Sequence, residues 1–135
     1  MKNSQILACV SRVLFPFILV FGFYVIVNGH LTPGGGFQGG AILATAILIT
    51  YFIIPERINI IDGLVRLEKH LFLWIIVVGS LSLITKGTFF TNPLPIPAAI
   101  SFKRIFLVLL NFLIGSKVAI GLVAIFSSFI EEGRS

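Results

Sequence analysis

Four apolar stretches, separated by charged, glycine-rich or proline-rich segments, constrain this chain more tightly than any motif in it. They cover about 6–27, 39–54, 67–85 and 105–130. A helix that crosses the hydrocarbon core of a bilayer needs about 20 predominantly apolar residues. The second stretch is short for this and the others fit it. A soluble globule is excluded on composition. Apolar residues (AVILMFWYC) make up 57% of the chain and charged residues 11%, where a soluble domain carries about 25% charged residues. A chain of 135 residues has too little interior to hide that excess, which must face lipid or partner proteins. The sequence predicts an all-α, polytopic membrane protein with four transmembrane helices in one domain, residues 1–135. It excludes a soluble enzyme, a disordered tail and a disulfide scaffold.

Ser11 and Arg12 stand at the entry of the first stretch, whose continuous apolar part begins at Val13. Pro16 is expected in its first turns, where a missing N–H costs a helix little. A basic start followed by an apolar run also fits a secretory signal. No small-x-small cleavage site follows Val27 and three apolar stretches come after it, so the segment reads as a retained helix. Pro55 is expected to close the second helix, and Pro93, Pro95 and Pro97 to hold an extended loop before the fourth. No internal repeat is visible, which argues against an inverted-repeat transporter built from this chain alone.

The net charge of +5 raises nucleic acid as a partner. The Lys and Arg residues are scattered singly, with no basic run or helix face, and nucleic-acid binding is not expected. Cys9, the one cysteine, cannot form an internal disulfide and reads as a small packing residue. With four spans, both termini and the connection between the second and third spans share one side. That side holds Lys2, Arg12, Arg57, Arg66, Lys69 and Arg134, with all the acids: Glu56, Asp62, Glu68, Glu131 and Glu132. The other side holds Lys86, Lys103 and Arg104, which read as interfacial anchors. The Lys/Arg excess predicts cytoplasmic termini.

The segment from Gly29 to Gly40 is the most unusual in the chain. Gly34, Gly36 and Gly39 satisfy G-x-G-x-x-G, and Glu56 stands where an acidic partner of a dinucleotide site would. That fingerprint needs a preceding strand and a βαβ unit around it. Here membrane helices flank it on both sides, and no Gly-Lys-Ser/Thr completes a phosphate loop. A packing role fits better. Consecutive glycines turn the chain sharply and let a neighbouring helix approach, and Gly36, Gly40 and Ala44 recur at the four-residue spacing of a helix ridge. Pro33, Gly34, Gly35, Gly36, Gln38, Gly39 and Gly40 are the candidate residues of this seam. The alternative is irregular backbone at membrane depth lining a wet cavity, with His30 and Gln38 as polar handles.

Lys117 is the one charged residue well inside a predicted span. Placing Lys at a helix centre costs about 2.5–3.5 kcal/mol on insertion scales, so it should face protein or water. Lys117, Gly121, Ala124 and Ser128 share one face, a small and polar stripe for packing. Asn111 and Gly115 lie on another face and should meet a different neighbour. Two readings stay open for Lys117: part of a proton or ion path, or a structural pair with a carboxylate from a partner subunit. Glu68, expected at the head of the third helix and sharing a face with Phe72, Ile75 and Gly79, is a possible internal partner. No Asp or Glu is expected near the middle of a span, where a cation carrier normally places carboxylates. Alone, the chain is a poor transporter; with neighbours it could line one wall of a path.

The segment Gly-His-Leu-Thr-Pro-Gly-Gly-Gly-Phe-Gln-Gly-Gly at 29–40 resembles the loop of the B subunit of Mrp/Mnh-type multisubunit sodium/proton antiporters, the MnhB family. Residues 15–22, 62–68 and 111–122 are similar to that family's first helix, middle segment and last helix. The resemblance implies a small accessory subunit of a large inner-membrane assembly that exchanges Na⁺ and H⁺. Its partners would be other membrane subunits of such an antiporter. They could equally be those of the related ion-translocating module in membrane-bound hydrogenases and sulfur reductases. One Cys and two separated His residues build neither a metal nor an iron–sulfur site, so no cofactor is expected in this chain. Lys117, His30 and Glu68 are the candidates for the ion path.

Overall fold

The computed structural model describes residues 5–53, 61–88 and 100–133 and builds four α-helices from them, with no strand among the described residues. They are α1 (Gln5–Val27), α2 (Gly35–Ile53), α3 (Ile61–Lys86) and α4 (Ile100–Glu132). All four are long and apolar enough to cross a membrane, so the four-span, all-α expectation holds. The expectations for Pro55, Pro93, Pro95 and Pro97 lie outside the described residues, as do Lys2, Glu56, Arg57 and Arg134.

Several boundaries differ from the sequence reading because hydropathy marks only the apolar part of a helix. α2 begins at Gly35 rather than Gly39, so most of the glycine run is helix and not loop. Gly costs a helix interior about 1 kcal/mol relative to Ala, which close packing offsets here. α3 begins at Ile61 rather than Leu67. Its charged first turns place Asp62 at the positive end of the helix dipole, and Arg66 Nε donates to the Asp62 carbonyl at 3.3 Å. α4 begins at Ile100 rather than Ile105 and takes Lys103 and Arg104 into its first turns. α1 starts at Gln5, within a residue of the expected bound, but it is helical well before the continuous apolar part at Val13, so Pro16 lies inside the helix rather than in its first turns. The missing N–H leaves the Arg12 carbonyl without its i+4 partner.

The helices lie in the order α1, α2, α4, α3. α2 packs between α1 and α4, α1 touches α4 more lightly, and α3 packs on α4 alone among the described residues. Ile26 is fully buried where α1, α2 and α4 meet, clustered with Leu43 and Ala119 and flanked by Leu19. On α4, Gly115, Ala119, Val123 and Ser127 form a buried line at helical spacing. Many large apolar side chains stay outside, Phe17 on α1 and Trp74 on α3 among them. In a membrane these face lipid or partner subunits.

Candidate functional site

Two places in the molecule gather the residues singled out by sequence. The first is the turn between α1 and α2. The Leu31 and Thr32 N–H groups both donate to the Asn28 carbonyl, at 2.9 and 3.2 Å. Gly34 (φ 98°) and Gly35 (φ 51°) then take left-handed conformations that a side chain disfavours. Pro33 stays exposed beside them. Beyond the turn, α2 shows its neighbours bare backbone. An added Cβ would lie 2.5 Å from the Asn111 carbonyl oxygen at Gly36 and 2.5 Å from the Gly115 carbonyl oxygen at Gly40. On the opposite side, one at Gly39 would lie 3.0 Å from the Gly22 carbonyl oxygen of α1. The seam has two faces, toward α4 and toward α1.

Asn111 and Gly115 do meet a separate neighbour, and it is α2. The Asn111 amide also wedges into the turn: a Cβ at Gly29 would lie 3.1 Å from its Nδ2, and one at Gly35 3.4 Å from its Oδ1. The sequence reading gave Asn111 a face but not this position. Its only signal was a lone polar residue among apolar ones. His30 is half-buried, and neither ring nitrogen has a hydrogen-bond partner among the described residues. Gln38 is exposed and lies against Gly34.

The second place is the contact between α3 and α4. Lys117 Nζ lies 2.7 Å from Glu68 Oε1 and 5.4 Å from the centroid of the Phe72 ring. Because α3 begins at Ile61, Glu68 sits two turns inside the helix, not at its head as the sequence reading placed it. Glu68 and Phe72 are one turn apart, so carboxylate and ring present themselves to Lys117 together. The partner of Lys117 in this chain is therefore its own Glu68, the internal partner the sequence allowed beside a partner subunit's carboxylate. The pair is incompletely enclosed, with side-chain exposures of 32% for Lys117 and 27% for Glu68. Gly121 borders it at an ordinary distance, 3.9 Å from an added Cβ to Glu68 Cγ. It is not a site of close backbone approach. The packing stripe also ends short of Ser128, which is exposed and donates to the Ala124 carbonyl.

No hydrogen bond or ion pair joins His30 to Lys117 or Glu68 among the described residues. A contact that sequence did not signal lies at the far end, where Tyr51 OH donates to Glu131 Oε1 at 3.3 Å and ties the end of α2 to the end of α4. Among the described residues, no three His, Cys, Asp or Glu side chains gather as metal ligands would.

The spans and the Lys117–Glu68 ion pair define a multi-pass membrane protein with a charged contact between two of its helices. Residues 6–124 match the family model described as a domain related to the MnhB subunit of Na⁺/H⁺ antiporters, and the chain belongs to that family. Among its relatives, a Staphylococcus aureus protein provisionally named antiporter subunit mnhB2 is 33% identical over 94 residues, covering 68% of this chain and 64% of the relative. A Staphylococcus saprophyticus protein of the same name is 38% identical over 50 residues, 37% of this chain and 36% of the relative. The chain thus spans from about a third to under two thirds of the length of these relatives. No solved structure matches it.

Proposed function

We propose that this chain is an accessory membrane subunit of an Mrp-type Na⁺/H⁺ antiporter module, and that Lys117 with Glu68 stands on or beside the path of the ion or proton. Family membership and the names of its relatives support the first half. The 2.7 Å pair between Lys117 and Glu68 carries the second. A lysine this far inside an apolar helix is kept at a cost, and an oppositely charged neighbour that leaves it partly accessible suits a relay. His30, with its unpartnered ring nitrogens, is a second candidate at another depth. On this reading the chain needs no metal or cofactor of its own, and its termini lie on the cytoplasmic side of the cell membrane. The subunits that copurify with it distinguish a stand-alone antiporter from a hydrogenase or sulfur reductase: an iron-containing catalytic subunit indicates the latter.

The second reading, a purely structural subunit, rests on a specific observation as well. α3 has only α4 to hold it among the described residues, and the Lys117–Glu68 ion pair joins the two helices. Lys117→Met separates the two readings. A lysine on the path predicts an intact complex with Na⁺-dependent proton flux reduced at least about tenfold, the scale of a single lost charged interaction. A structural lysine predicts loss of the assembled complex itself.

A further inference from the structure

The first turns of α4 carry an open groove of about 500 Å³ lined by Arg104, Ile105, Val108, Leu109 and Phe112. Its floor follows one helix face, since positions 105, 108, 109 and 112 fall at helical spacing. The ring of Phe112 stacks on Phe23 of α1, with centroids 6.5 Å apart and planes 18° from parallel. That ring pair marks the level at which α1 covers α4.

The groove has a direction. Arg104 stands at one end, exposed and without a partner among the described residues. The walls from Ile105 to Phe112 are apolar and run inward along the span. At about 1.5 Å per residue they extend roughly 12 Å, close to the depth of one leaflet in a hydrocarbon core of about 30 Å. The charge around the mouth has one sign. Lys86, Lys103 and Arg104 lie at this end of the bundle. The described acids, Asp62, Glu68, Glu131 and Glu132, lie in the starting turns of α3 or the last turns of α4, toward the opposite end. An occupant must therefore present an anionic group at the membrane surface and a flexible apolar body beneath it.

We infer that this groove is a binding site for a phospholipid with a net-negative headgroup, its phosphate on the Arg104 guanidinium and an acyl chain along Ile105, Val108, Leu109 and Phe112. Arginine's planar fork suits phosphate oxygens better than a point charge does. The site is independent of the Lys117–Glu68 pair, which lies further along α4 and faces α3.

The test is native mass spectrometry of the full-length chain released from detergent after incubation with phosphatidylglycerol or phosphatidylcholine. The wild-type chain should retain phosphatidylglycerol preferentially. Arg104→Ala should reduce that retention about fivefold, the effect of one basic residue near an anionic membrane surface. Leu109→Trp, which fills the groove and leaves every charge in place, should reduce it as well. Lys86→Ala, at the same end of the bundle but outside the groove, should retain the lipid as wild type does. Equal retention of the two lipids, or an equal loss in Lys86→Ala and Arg104→Ala, would overturn the site in favour of diffuse attraction. So would an unchanged Leu109→Trp. A Leu109→Cys chain that crosslinks to another polypeptide in native membranes would overturn it in favour of a partner helix.

Discussion

The glycine seam and the α3–α4 contact join helices by opposite means. Around α2, helices meet because side chains are missing: Gly36 and Gly40 bring its backbone against α4, and Gly39 brings it against α1. Between α3 and α4 the long side chains of Lys117, Glu68 and Phe72 reach across. The seam has no room for an added methyl group; the charged contact has room to spare at Gly121. Close packing in a bilayer is specific and tolerant of nothing larger, since lipid supplies no hydrophobic drive between helices. A charged contact tolerates change in shape and none in charge. Three helices are thus joined by close backbone approach, and the fourth by side chains that reach across, beside buried Ile75, Gly79 and Ser82 of α3.

Breaking the seam should have the largest effect. Gly36→Leu forces a branched side chain into the Asn111 carbonyl, where overpacking costs about 1–3 kcal/mol and here meets backbone that cannot yield. Recovery of intact complex from membranes should fall at least about tenfold, a loss of roughly 1.4 kcal/mol or more. Full assembly with normal activity would show that the seam is dispensable. Glu68→Gln should act less on assembly. It leaves Lys117 without its counter-charge and with only the Phe72 ring, a contact worth about 0.5–2 kcal/mol. A cysteine pair placed across α3 and α4 should then crosslink more slowly than in the wild-type chain, while a pair across α2 and α4 is unaffected. Equal slowing of both would mean that the two regions are not separable. Gly121→Ala should do least, within about 0.5 kcal/mol of wild type, measured as the midpoint of detergent-induced unfolding. A shift as large as that of Gly36→Ala would contradict the comparison.

Much of this was legible in the sequence, for physical reasons that also explain what was not. Apolar length gave four spans, and the four-residue spacing of Gly36 and Gly40 gave the ridge. Face geometry separated Lys117 from Asn111 and aligned Glu68 with Phe72. Hydropathy, however, reads Asp62 to Arg66 as a connection, whereas those residues satisfy their backbone as helix and sink Glu68 two turns deep. The same bias hid Gly35–Gln38 inside α2, because the low helix propensity of glycine is overruled there by packing. Gly121 looked like Gly36 on paper. Only the neighbours' positions tell a close approach from a glycine with space beside it. The Tyr51–Glu131 bond joins residues distant in the chain, and no local pattern marks it.

The most direct test of the central claim exchanges the charges of the pair, Lys117→Glu with Glu68→Lys, and reads Na⁺-dependent proton flux in everted vesicles per assembled complex. The exchange keeps an ion pair between α3 and α4 and moves the cation to another helix. A pair that serves the ion path predicts assembled complex with flux below about a tenth of wild type. Flux restored in step with assembly would contradict the account and leave the pair a structural tie.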